Sequence, residues 1–208
     1  MRLDGGAARA VLADAWERWS GRCSQLSAEE WSTPTRCAGW NVAALVAHVC
    51  PDSAMFTRLA EAVVDPPAAV TDAAILLRRF NEPGGAAHTH AGSLAEQAVS
   101  DAAELTPEAA ARRFAESAET LRETTAPADT VIAYPFVGST TLAVIAETAL
   151  TEATVHLLDL AAAVGGVEPS PQALAATRDL LIAVPDPTAA VEVLAGRAAP
   201  DAAVPAIR

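Results

Sequence analysis

The stretch Gly138–Gly166, GSTTLAVIAETALTEATVHLLDLAAAVGG, constrains the fold more than any other part of the chain. It reads as one long helix. Ser139 is placed to cap its start, the β-branched pair Thr140 and Thr141 opens it, and Gly165 and Gly166 supply the left-handed stop. Counted at alternating steps of three and four, Leu142, Ile145, Ala149, Glu152, His156, Asp159 and Ala163 form one inward seam. A stripe expected to be buried thus carries two carboxylates and an imidazole. Such groups are costly to bury unless they are paired or coordinated. Glu152 and His156 are four apart and aim at nearly the same point beyond the helix surface. That spacing suits two ligands of one metal ion, with a third due from another helix.

The third ligand is sought upstream. Asn41 is placed to cap a helix that runs through VAALVAHVC and beyond, with Leu45, His48, Asp52, Met55 and Leu59 in one seam. Pro51 is expected to kink this helix beside His48, midway along it. If the two helices pack together, His48, Glu152 and His156 converge as two imidazoles and a carboxylate, and three protein ligands leave positions open for water or substrate. Asp52, one turn beyond His48, faces either the cavity or solvent. Asp159 either orients His156 as an acceptor, contacts a bound thiol, or makes a plain interhelix bond.

The rest of the chain reads helical: Leu3 to about Gln25, a short turn after the capping box Ser27–Glu30, an apolar piece Ala73–Phe80, one or two helices over Ser93–Thr125 with a start at Thr106-Pro107, and two short helices after Gly166. Thr130–Tyr134 reads as a short extended piece. The expected fold class is therefore all-α, a four-helix bundle over residues 1–166 with a short C-terminal helical tail over 167–208. A formal net charge of -12 argues against nucleic acid or an anionic membrane as partner. No signal peptide and no apolar run of spanning length is apparent, and the three cysteines include no Cys-x-x-Cys pair, so a soluble, reducing, cytoplasmic setting is expected. Cys37 reads as a small filler, His88 and His90 as members of a solvated glycine-bracketed loop, and the four tryptophans as core and lid packing.

Two segments together resemble a known family. Trp31, Pro34, Thr35, Cys37, Gly39, Trp40, Val42, Leu45 and His48 fit W-x-x-P-T-x-C-x-G-W-x-V-x-x-L-x-x-H, and Glu152, His156, Asp159, Leu160 and Ala161 fit E-x-x-x-H-x-x-D-L-A. The pairing is similar to the mycothiol-dependent maleylpyruvate isomerase family, within the DinB-like four-helix-bundle superfamily. The resemblance implies that His48, Glu152 and His156 bind a divalent metal, zinc first with nickel or iron as alternatives. It also implies mycothiol as a low-molecular-weight thiol cosubstrate, activated by the metal to attack a small-molecule electrophile. The tail 167–208 is shorter than the isomerase's C-terminal domain, which points away from maleylpyruvate itself. The expected function is thus a metal- and mycothiol-dependent S-transferase or isomerase, acting alone or as a homodimer. The alternatives are a thiol-independent enzyme of the same superfamily, hydrolytic or biosynthetic, and a non-catalytic metal- or ligand-binding module.

Overall fold

Caps and prolines set the element boundaries in an alanine-rich chain whose intrinsic preference is helical throughout. The computed structural model describes residues 5–52 and 54–204; Leu3, the expected start of the first helix, lies outside the described residues. Helix α1 spans Gly5–Cys23. The short α2, Ala28–Ser32, opens on the capping box that the sequence announces: Glu30 N donates to Ser27 Oγ at 3.2 Å and Ser27 N to Glu30 Oε2 at 2.8 Å. Helix α3, Val42–Val49, is capped by Asn41.

Pro51 ends this helix instead of kinking it. The residue before a proline is driven out of the helical region, and Cys50 is extended at ψ 124. His48 therefore stands in the last turn of α3, and Met55 and Leu59 belong to a separate α4, Met55–Glu61. There follow α5 (Ala73–Asn81), α6 (Ala86–Thr89), α7 (Ala91–Ala102) and α8 (Pro107–Glu123), the last with Thr106 as cap and Pro107 in its first turn.

The expected extended piece is present, and the second departure is the partner strand that makes it a small hairpin. Strand β1, Val131–Tyr134, pairs antiparallel with β2, Gly138–Thr141, in the register Val131↔Thr141 to Tyr134↔Gly138. Ser139 is thus a strand residue, its Oγ accepting from Ala69 N, and Thr140 Oγ1 donates to Val70 O. The cap of the long helix moves to Thr141, and α9 runs Leu142–Val164. The β-branched pair that looks like a helix opening is used as strand, where branched side chains pack well. Past Gly165 and Gly166, both at positive φ, come α10 (Pro171–Ala183), α11 (Pro187–Leu194) and a 3₁₀ turn at Pro200–Ala202.

The class is all-α, as expected. Helix α1 packs along α8 and α9, α3 joins them on the α9 side, α7 lies against α3, and α10 lies against α9. The core is held by Trp19, Phe114, Leu45, Leu150, Leu157 and Leu160, all buried. Trp19 stacks on Phe114 at 5.4 Å and donates from Nε1 to Ala153 O at 2.9 Å, which satisfies its one polar atom while its rings anchor three helices. Among the described residues no helix is long and apolar enough to cross a membrane.

The inward face of α9 is not the seam expected from the sequence. Its deepest side chains are Val144, Leu150, Ala153, Thr154, Leu157 and Leu160, whereas Ile145, Ala149, Glu152, His156 and Ala163 are half-buried and only Asp159 of the polar set is buried. The polar stripe runs along the edge of the core. Edge placement leaves part of Glu152 open to solvent, and the burial cost that remains is met by the pairing of Glu152 with the two histidines.

Candidate metal centre

Three segments build the site. Helix α9 presents Glu152, His156 and Asp159 on successive turns, and α3 contributes His48 from its last turn. The third segment is the loop leading into α3. It closes on itself through Thr35 N to Trp40 O at 2.9 Å, Val42 N to Thr33 O at 2.9 Å and Trp40 N to Cys37 O at 3.0 Å, with Gly39 at φ 81 making the turn. A residue with a Cβ is disfavoured at that φ. The folded loop carries the Trp40 indole over both histidines, its ring centroid 4.8 Å from that of His48 and 6.1 Å from that of His156.

His48 Nε2 lies 3.8 Å and His156 Nε2 3.5 Å from the same oxygen, Oε2 of Glu152. Both separations exceed a good hydrogen bond. They are instead the spacing of donor atoms around a shared cation: ligands about 2.1 Å from a tetrahedral ion stand about 3.4 Å from one another. The potential ligand atoms of His48, Glu152 and His156 all lie within 4.8 Å of one another. The residues present fit a divalent ion, and their two nitrogens and one oxygen are a donor set that zinc, nickel and iron accept.

Electrostatics set the charge that each donor carries. Burial works to raise the Glu152 carboxyl, but His156 and His48 beside it outweigh burial and draw it down to about 2. Glu152 is therefore an anion at any physiological pH. For His156, burial works to lower the pKa, and Glu152 and Asp159 overcome it and raise the imidazole above its ordinary value. The Asp159 carboxyl sits below the ordinary carboxylate value: burial opposes its charge, and Arg36, His156 and Cys37 outweigh burial.

The hydrogen bond from His156 Nδ1 to Asp159 Oδ2, 2.8 Å long, sets the tautomer. It places the ring proton on Nδ1 and leaves the Nε2 lone pair facing Glu152. Asp159 also accepts from Arg36 Nε through Oδ1 at 2.5 Å and from Cys37 Sγ through Oδ2 at 3.3 Å. Cys37, His156 and Asp159 are a second group close enough to share an ion, yet their atoms are engaged with one another. The Cys37 thiol is pushed up by burial and by Asp159, which keeps it a neutral donor.

The other expected candidates are elsewhere. Asp52 is exposed, pairs with Arg58 at 2.9 Å and accepts from Ala54 N at 2.7 Å, so its carboxylate is spent on the turn after Pro51. His88 approaches Asn81 O at 3.1 Å, and His90 packs against Phe136 at 5.1 Å between ring centroids. Arg36 and Trp40 touch the centre without having been singled out for it. Both lie in the tryptophan-bearing loop motif, but only folding shows that the loop reaches α9. A model of the family described as the mycothiol maleylpyruvate isomerase N-terminal domain matches residues 12–161. No curated protein and no solved structure matches the chain.

Proposed function

The chain belongs to the mycothiol maleylpyruvate isomerase N-terminal domain family, and from that premise we propose a metal-dependent thiol S-transferase or isomerase that acts on an electrophilic small molecule. The observation that carries this reading is the convergence of His48 Nε2, His156 Nε2 and Glu152 Oε2. These three residues would hold the ion, zinc by preference. Two neutral imidazoles and one carboxylate carry a single negative charge. A divalent ion held there keeps one unit of positive charge, which lowers the pKa of a thiol beside it.

The chain's own groups do the rest. Asp159 keeps the His156 proton on Nδ1 and so keeps Nε2 available. Arg36 and Cys37 hold Asp159 from the loop side, fixing the distance between loop and helix. Trp40 packs against both imidazoles and limits how far their rings can turn. Glu152, 41% exposed, marks the side on which a thiol approaches. Mycothiol is the thiol this reading names. The division into a metal-binding bundle at 1–166 and a helical tail at 167–208 belongs to the same proposal.

Mass spectrometry of the products formed from mycothiol and a panel of electrophiles tests it. A thioether or an isomerised product that disappears with chelator and with His48→Ala supports the reading. Product formation at equal rates without thiol would replace it with the thiol-independent enzyme, and no product from any electrophile would leave a binding module.

A further inference from the structure

The tryptophan-bearing loop borders more than the histidines. Between this loop, the first turn of α3 and the C-terminal half of α7 lies an open cleft of about 610 Å³, within the range of small-molecule sites. Its walls include Trp31, Trp40, Pro34, Ala44, Val99 and Ala103, and no charged side chain lines it. The polar side chains of the lining are Thr35 and Asn41. Thr35 Oγ1 donates to Trp40 O and accepts from Cys37 N, and Asn41 Oδ1 accepts from Ala44 N. Those oxygens are spent within the loop and the helix cap. A carboxylate entering the cleft would leave water without a cation to meet it, a cost that an uncharged body avoids.

Trp40 belongs to both places. It lines the cleft, and its ring lies 4.8 Å from His48 and 6.1 Å from His156. A flat group resting in the cleft against Trp40 is separated from the imidazoles by the indole that both contact. Two indoles among the lining residues favour a planar π-system.

We propose that this cleft is the electrophile's subsite and that it selects an uncharged, flat aromatic or unsaturated body over a small charged acid. The assignment rests on the transferase reading and adds the substrate class to it. The test uses the full chain as purified, without thiol, titrated with 1,3-dinitrobenzene as an unreactive planar probe, with maleate, and with mycothiol, following the indole N–H resonances of Trp31 and Trp40. Saturable shifts of both indoles by dinitrobenzene and none by maleate are expected. Val99 is 53% exposed on the cleft wall, so Val99→Glu places a charge there without disturbing the core. It should weaken dinitrobenzene binding about tenfold, whereas Val99→Gln leaves it within a factor of about two.

Shifts by maleate alone, shifts by mycothiol alone, or equal binding by the Glu variant would overturn the assignment. The binding assay needs no turnover, so the two readings fail separately. Arene binding with no conjugate from any electrophile defeats the transferase alone. Conjugation of charged acids without arene binding defeats the cleft alone.

Discussion

Asp159 accepts from two donors on the loop, Arg36 and Cys37, and from His156 on its own helix, and it is the only buried member of the polar stripe. An acceptor in that position sets the ring orientation of a ligand histidine. Asp159→Asn should retain the ion but weaken its binding about 10–100-fold, measured by competition with a chromophoric chelator. His156→Ala should abolish the roughly one equivalent of metal expected by elemental analysis of protein purified without chelator. Metal retained at full stoichiometry in that variant would remove His156 from the ligand set.

The pH dependence follows from the same contacts. The His156 pKa is raised in the folded protein, so its charged form stabilises the metal-free chain below 6.5 and that contribution is lost as pH rises through the raised value. Metal needs the neutral ring. Affinity should therefore climb with pH through the window from 6.5 to the raised value, with one proton released per ion. Glu152, drawn down to about 2, adds nothing to that slope at neutral pH. In Asp159→Asn the window should move to lower pH, because one of the two carboxylates that raise His156 is gone.

At the scale of elements, the end of α9 shows how a buried cation serves a helix. Arg22, 6% exposed, donates from Nε to Gly165 O at 2.8 Å and from Nη2 to Val164 O at 3.1 Å, and pairs with Glu30. It supplies donors to carbonyls that a helix C-terminus leaves without partners. Arg22→Ala should cost about 2–3 kcal/mol in urea unfolding, since it strands those carbonyls at the edge of the core. Metal stoichiometry should stay intact, because the α9 ligands lie roughly two to four turns upstream. Gly166→Ala should destabilise by about 1–2 kcal/mol: φ is +76 there, and a Cβ would meet Arg22 Nε at 3.0 Å.

At the scale of the whole molecule, the proposed ion would tie the end of α3 to the middle of α9, two elements otherwise joined by modest packing. Binding to the folded state alone stabilises by about 2.7 kcal/mol when free metal stands a hundredfold above Kd. For a chain of this size that corresponds to a Tm lower by about 5–10 °C on chelation, read by scanning calorimetry. His48→Ala should show no further drop with chelator. A wild-type Tm indifferent to chelator would mean that the three residues hold no ion.

Local signals in the sequence determined a good deal. The caps at Ser27, Asn41 and Thr106, the glycine stop at Gly165, and the four-residue step from Glu152 to His156 act over one or two helical turns, a range in which the neighbours in sequence are the neighbours in space. Whatever depends on what packs against what was left to tertiary structure. Glu152, His156 and Asp159, spaced as part of a seam, meet α3 and the tryptophan loop and not the centre of the bundle. Thr140 and Thr141 become strand because Val131 and Ile132 are there to pair with them. Arg36, 123 positions from Asp159 along the chain, becomes its partner only when the loop folds back over α9. Those are long-range choices, and no periodicity within one segment carries them.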